Sequence, residues 1–127
     1  MTKTEQDIFF ALLRSAIWEK PVEMEYNKGK EYSWLNILQA FADHAILGVV
    51  ANAVMHLPEE YLPEEELQQE ILQYASDTKK LNEEFDTAVV ESFELLQKNG
   101  LHPVLLKGQG LSALYPKSCY PVRQVLQ

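Results

Sequence analysis

The sequence has one cysteine among its 127 residues, no long apolar run and no basic N-terminal segment. The single thiol, Cys119, excludes an internal disulfide, and the absence of a catalytic signature around it favours an incidental thiol over a nucleophile. No apolar run is long enough to span a bilayer. The first residues include Glu5 and Asp7, whereas an export signal needs positive charge there. These absences predict a cytoplasmic protein with no membrane partner.

Acidic side chains are missing from the C-terminal part, although the chain carries a net charge of −8. Every Asp and Glu lies between Glu5 and Glu94, and the charged residues after Leu101 are Lys107, Lys117 and Arg123. The total charge argues against non-specific binding to nucleic acid. The basic tail suits an anionic ligand. The alternative is that so few residues show this asymmetry by chance.

Apolar residues recur at helical spacing from the beginning of the chain. The first helix is predicted to run from about Glu5 to Trp18 or Lys20. Thr4 can serve as its N-cap. Pro21 ends it, because the residue before a proline is pushed out of the helical region.

A second helical region is predicted to begin at Trp34, with Ser33 as its N-cap. A break is expected between His44 and Gly48, because glycine weakens a helix interior. The histidines, His44 and His56, have no Cys or His at ligand spacing. A capping or core-edge role is therefore favoured over metal binding for both.

The longest predicted helix extends from Pro63 to Lys98. Pro63 fits the first helical position, where its missing N–H costs nothing. The polar patch 76–80 is interpreted as a solvated turn of this helix, and Asn99-Gly100 as its left-handed C-cap. An apolar stripe that one helix layer could bury follows the helix: Leu67, Ile71, Tyr74, Ala75, Leu81, Phe85, Ala88, Val89, Leu95 and Leu96.

The pattern changes after this helix. The apolar run from Pro103 to Leu106 predicts a buried strand, and the run from Gly110 to Tyr115 predicts one or two turns of helix. The turn between them could bind phosphate through backbone N–H groups and Lys107, could be a plain tight turn with a solvated lysine, or could belong to an edge strand or dimer contact. Spacing alone favours the plain turn, since Lys-Gly-x-Gly is short and matches neither a Walker A loop nor a dinucleotide-binding turn.

This order of elements resembles a family of uncharacterised bacterial nucleotidyltransferase-like proteins, related to the DNA polymerase beta nucleotidyltransferase superfamily. The resemblance rests on the long helix ending in Asn-Gly, on Val104 to Gly108, on Tyr115-Pro116 and on Arg123. It implies that Lys107, Gly108, Gln109 and Arg123 bind the phosphates of a nucleotide. It also implies that the complete family protein uses Mg²⁺ and a nucleoside triphosphate.

In that family a Gly-Asp-x-Asp segment follows within a few residues and holds the divalent metals. Here the chain reads Gln124-Val125-Leu126-Gln127 where that segment should begin. Two-metal phosphoryl transfer needs clustered carboxylates. The chain is therefore predicted to be the N-terminal part of a nucleotidyltransferase, without catalytic residues, bound metal, cofactor or activity of its own. The alternative is a helical protein-interaction or regulatory module.

The predicted fold is mainly α, a small bundle of three to four helices with a C-terminal strand-turn-short helix remnant of an α/β nucleotidyltransferase core. Residues 1–100 form the helical domain, and residues 101–127 form the incomplete start of the core. A single strand has unpaired edges. We therefore expect Val104 to Leu106 to promote a homodimer.

Overall fold

The computed structural model describes residues 1–24, 29–106 and 114. These residues form four α-helices: α1 (Lys3–Trp18), α2 (Trp34–Asp43), α3 (Leu47–Met55) and α4 (Glu65–Lys98). A 3-10 turn at Glu59–Tyr61 lies between α3 and α4. The mainly α prediction is confirmed. No strand occurs in the described part of the chain, and residues 101–106 are neither helix nor strand.

Helix α1 begins two residues earlier than predicted. Its N-cap is Thr2, whose hydroxyl accepts a hydrogen bond of 3.2 Å from the Glu5 backbone N–H. The Glu5 carboxylate in turn accepts one of 2.8 Å from the Thr2 backbone N–H. This reciprocal pair needs Glu or Gln three residues after the cap, which Thr2 has and Thr4 lacks. The Thr4 cap was therefore wrong, whereas the predicted end at Trp18 is confirmed.

The break between α2 and α3 is confirmed, but its cause differs from the one predicted. Ser33 caps α2 as expected, with its hydroxyl accepting from the Asn36 backbone N–H at 3.3 Å. The chain then turns at Ala45, which has a φ of +56°. Gly48 lies inside α3 and is buried there. The interruption is thus made by a left-handed alanine, and the glycine provides a small residue within the packed helix.

The core lies where α1, α2 and α3 meet. The rings of Phe9 and Phe41 stack with centroids 4.1 Å apart and planes inclined by 13°. Seven of the nine residues of α3 are buried, so this helix forms the centre of the bundle. Helix α4 packs against α3 and adds Ile71 to the core. Burial of these apolar side chains supplies the main favourable free energy of folding.

The start of α4 is set by residues other than the predicted proline. The N-cap is Glu64, with φ −55° and ψ 149°, so Pro63 lies before the helix and its assignment to the first helical position was wrong. The side-chain amide of Gln68 donates to the Pro63 carbonyl at 2.7 Å, which fixes this approach to the helix. Pro63 is thereby held as a buried residue of the preceding connector.

Helix α4 is much longer than its neighbours. Its 34 residues span about 51 Å at 1.5 Å per residue, whereas the nine residues of α3 span about 14 Å. The buried residues of α4 are Ile71, Thr78 and Asn82, and none follows Asn82 in the helix. The solvated interpretation of the patch 76–80 is therefore wrong for Thr78, which faces the bundle. The second half of the helix projects beyond the layer formed by α1 to α3.

Candidate functional site

The four residues to which the sequence assigned phosphate binding lie outside the described part of the chain. They are Lys107, Gly108, Gln109 and Arg123. The predicted turn and short helix, residues 107–115, lie outside it as well, except Leu114. The structure defines the element that leads to them, which is the C-terminal end of α4.

That end is closed by two backbone hydrogen bonds around a left-handed glycine. Gly100 has a φ of +78°. Its N–H donates to the Gln97 carbonyl at 3.1 Å, and the Leu101 N–H donates to the Leu96 carbonyl at 3.0 Å. This pairing is the Schellman motif, in which glycine adopts a backbone conformation that a side chain would strain. The side-chain amide of Asn99 adds a bond to the Leu95 carbonyl at 2.8 Å. The predicted Asn-Gly C-cap is confirmed.

The segment after this cap lies on the surface. Val104 is 76% exposed and Leu106 is 72% exposed, with Leu105 between them also exposed. The predicted burial of this apolar run is therefore wrong, because no other described element packs over it. An exposed run of this composition is unusual for a surface segment and marks a place where another surface can bind.

The residues that the structure describes do not fit a catalytic divalent metal. No group of three or more His, Cys, Asp or Glu side chains in the described residues could hold a metal ion. The chain also contains no Asp or Glu after Glu94. Mg²⁺ prefers oxygen ligands, chiefly carboxylates and phosphates. The histidines have the structural role predicted for them, since His44 is the C-cap residue of α2 and His56 that of α3.

A cleft lies between the C-terminal ends of α1 and α3, with a volume of about 480 Å³. Its size falls in the range of small-molecule sites. Five polar and seven apolar residues line it: Ser15, Ala16, Glu19, Lys20, Pro21, Val22, Val49, Asn52, Ala53, His56, Leu57 and Pro58.

Two polar side chains of this cleft hydrogen-bond to backbone carbonyls near the ends of α1 and α3. The His56 ring donates from Nδ1 to the Asn52 carbonyl at 2.7 Å, since a carbonyl oxygen can only accept. In the neutral ring this leaves Nε2 as an acceptor. The Ser15 hydroxyl donates to the Lys20 carbonyl. Glu19 ends α1 in a left-handed conformation with a φ of +52°.

A smaller hollow of about 240 Å³ adjoins the cleft. The two share Ser15, Lys20 and Pro21, and the hollow adds Arg14 and Trp18. The cations Arg14 and Lys20 are accompanied there by the carboxylates of Glu19 and Glu23, so the pair of cavities is close to electrically neutral. This balance gives them no preference for a charged ligand.

Sequence reasoning missed both cavities, for an identifiable reason. The smaller hollow is lined by residues 11–23 alone, with the local pattern of an ordinary helix end. The residues that line the cleft come from α1, from α3 and from the segments that follow them, which are distant in sequence. The contact between α1 and α3 that brings them together is a tertiary feature. No spacing along the chain could have indicated it.

The model of a protein family described as "Uncharacterised nucleotidyltransferase" matches residues 30–120, which is more than half of the chain. The chain belongs to this family. Neither the curated proteins nor the solved structures include a significant match. The matched range begins just before α2 and includes α2, α3 and α4.

The family match includes most elements of the chain but not its two ends. Helix α1 precedes the matched residues, and Arg123 follows them. Lys107, Gly108 and Gln109 fall within the matched residues, together with the C-cap of α4 that precedes them. Membership in the nucleotidyltransferase family thus rests on α2, α3, α4 and the segment that follows α4. Among the described residues no helix has the length and apolarity that crossing a membrane requires.

Proposed function

We propose that this chain is the helical portion and phosphate-side turn of a nucleotidyltransferase, which transfers a nucleotidyl group from a nucleoside triphosphate to an acceptor of unknown identity. The observation that carries the proposal is the family match over residues 30–120. It includes the Lys-Gly-Gln segment that the sequence singled out for phosphate binding.

Each residue of this proposed site has a physical role. The Lys107 ammonium supplies a positive charge to the phosphates, and Gly108 permits close approach of the backbone. Gln109 offers a side-chain amide donor. Arg123 can donate two parallel hydrogen bonds to one phosphate group. Residues 101–127 contain three basic residues and no acidic ones, which supports binding of an anion there.

We propose further that the chain has no transferase activity by itself. The complete family protein would use Mg²⁺ with its nucleotide, and the metal would neutralise charge on the triphosphate. Residues 101–127 contain no Asp or Glu, and the described residues offer no group of carboxylates that could hold such a metal. The chain would therefore hold the phosphate end of a nucleotide without catalysing its transfer.

An alternative function, a helical interaction or regulatory module, is favoured by a different observation. Large apolar side chains of the described residues are exposed on one end of the molecule, notably Leu95, Leu101, Val104 and Leu106. Exposed apolar groups that lie close together in sequence are typical of protein-binding surfaces. In that case nucleoside triphosphates would have no effect on the chain.

Calorimetric titration of the full chain with ATP tests the nucleotide proposal. We expect binding that falls at least about tenfold in Lys107→Ala, since a charge-assisted hydrogen bond to phosphate is lost. Lys98→Ala is the matched control, because Lys98 is an exposed lysine in the last turn of α4 and should leave the affinity unchanged. Equal affinities in the two variants, or no binding by the unmodified chain, would support the interaction module instead.

Two further observations complete the test. A nucleotidyl-transfer assay with Mg²⁺ or Mn²⁺ should give no turnover above background, and turnover would refute the proposed inactivity. The encoding DNA beyond the codon for Gln127 can also be read. A Gly-Asp-x-Asp sequence in any frame would support the nucleotidyltransferase proposal.

A further inference from the structure

The second half of α4 carries an apolar stripe that continues the buried face of its first half. Phe85, Val89, Phe93 and Leu96 follow one another at intervals of four, four and three residues, which places them on one side of an α-helix. The same side carries Ile71, which is buried in the core. We call these four residues the distal stripe. It is oriented as a packing face rather than as a random set of apolar residues.

The stripe is not buried in the bundle, since Phe85, Val89 and Phe93 are only half-buried. No residue of α4 after Asn82 is buried, and the exposed fraction of Leu96 reaches 36%. The length of α4 explains this, because α3 is too short to accompany it beyond its first half. The distal stripe therefore lacks a full partner among α1, α2 and α3.

Charge distinguishes between the possible partners. Residues 83–98 contain five acidic residues and one basic residue, a net charge of −4: Glu83, Glu84, Asp86, Glu91, Glu94 and Lys98. A second copy of this helix would bring the same net charge of −4 against it, which is unfavourable. The chain after Gly100 has the opposite composition, with three basic residues and no acidic ones.

The position of that basic segment also fits. Its first cation, Lys107, follows shortly after the Schellman motif at Gly100, which ends the helix and redirects the chain. Its sequence interleaves apolar residues with the three cations, including Leu111, Val122 and Leu126. A segment of this kind can place apolar side chains on the stripe and its cations beside the acidic flanks.

We propose that the distal stripe of α4 is the intramolecular docking surface for the chain's own basic C-terminal segment, residues 107–127. Apolar contact with the stripe supplies the favourable free energy, and charge complementarity selects this segment over a second copy of the helix. The proposal does not depend on nucleotide binding, and it holds equally for an interaction module.

The native Cys119 provides a test in the full chain. Val89→Cys places a second thiol on the distal stripe, and Val90→Cys places one a third of a turn away, where the valine is 56% exposed. After treatment with a short bis-maleimide, we expect the intrachain cross-link in Val89→Cys to form at least about tenfold faster, because docking raises the effective concentration of the two thiols. Rates are normalised to the reaction of each introduced thiol with a monofunctional maleimide.

Two other variants serve as controls for this measurement. Phe93→Cys repeats the measurement at another stripe position and replaces Val89→Cys if circular dichroism shows that the latter is unfolded. The combined charge reversal Lys107→Glu, Lys117→Glu and Arg123→Glu should slow the cross-link from the stripe toward the rate of Val90→Cys. Equal rates for stripe and control positions would overturn the proposal. So would predominantly intermolecular products at a concentration where sedimentation shows a monomer, or a cross-link that charge reversal leaves unchanged.

Discussion

The Glu5 carboxylate accepts a hydrogen bond of 2.9 Å from the backbone N–H of Ser33, 28 residues away in sequence. Ser33 is the N-cap of α2, and Glu5 lies in the first turn of α1, so this bond joins the N-terminal ends of two helices. The same carboxylate accepts from the Asn36 side chain at 3.2 Å and from the Thr2 backbone N–H. Glu5 is 2% exposed, and its charge is satisfied by these donors.

These hydrogen bonds predict how stability depends on pH. The backbone N–H of Thr2, followed by that of Ser33, lowers the pKa of Glu5 from 4.5 to about 2. A carboxyl group whose pKa is lower in the folded state stabilises the fold above its unfolded pKa, and this contribution disappears as the pH falls through the folded pKa. We expect the difference in unfolding free energy between the unmodified chain and Glu5→Gln to be constant above pH 4.5 and to shrink from there toward pH 2.

Urea unfolding followed by circular dichroism across this pH range measures that difference. Glu70→Gln is the matched control, because Glu70 is an exposed glutamate of α4. Its effect should be small and should vary little with pH. A Glu5→Gln variant as stable as the unmodified chain at pH 7 would show that the link between α1 and α2 contributes nothing.

The stacked pair Phe9 and Phe41 predicts a large effect in the core. Phe41 is fully buried, and its removal in Phe41→Ala leaves a cavity between α1 and α2. We expect a loss of about 3–5 kcal/mol in unfolding free energy, which combines lost burial with the cavity. Phe10→Ala is the control, because Phe10 is 52% exposed and touches Phe9 only by an edge-on contact. It should cost about 0.5–1.5 kcal/mol. Similar losses in both variants would contradict the assignment of the core.

The helix boundaries that could be predicted from the sequence depend mainly on residues next to them in the chain. Ser33, Pro21 and Asn99-Gly100 act through their own backbone or hydroxyl groups, and the helix boundaries next to them were predicted correctly. Where the boundary depended on a reciprocal pair, as at Thr2 and Glu5, a simple preference for Thr4 was misleading. Glu5 was expected near the start of the helix. Its hydrogen bond to Ser33 joins residues that are distant in sequence, so local spacing could not predict it.

The structure tests less of the predicted phosphate site than of the predicted fold. The Lys107-Gly108 turn and Arg123 lie outside the described residues, so their arrangement stays a prediction. The cleft could not be predicted from the sequence because it is formed by the packing of α1 against α3. Thr78 shows the same limit, since a polar residue in a polar patch gave no indication that the bundle would bury it.

Gly100 predicts a local effect at the end of α4. Its φ of +78° is costly for a residue with a side chain, although no atom lies within 4 Å of the position that a Cβ would occupy. The cost of Gly100→Ala is therefore conformational and should reach about 1 kcal/mol. Hydrogen exchange of the Leu101 amide should become faster, because its bond to Leu96 is lost or weakened. The exposed helical substitution Gln97→Ala should change stability by no more than about 0.5 kcal/mol. Unchanged exchange in Gly100→Ala would show that the C-cap does not need a glycine.

The exposed run Val104 to Leu106 predicts self-association of the chain. Its apolar side chains lie in water in the single chain, and pairing with the same run of a second copy would remove them from it. We expect sedimentation equilibrium to show a monomer–dimer equilibrium that Leu106→Lys shifts toward the monomer, since a lysine would be desolvated at the contact. Leu72→Lys is the matched control, because Leu72 is 53% exposed on the first half of α4 and far from this run in sequence. It should leave the dimer constant unchanged. A monomeric unmodified chain at high concentration, or equal dissociation in the two variants, would show that these residues do not form the contact.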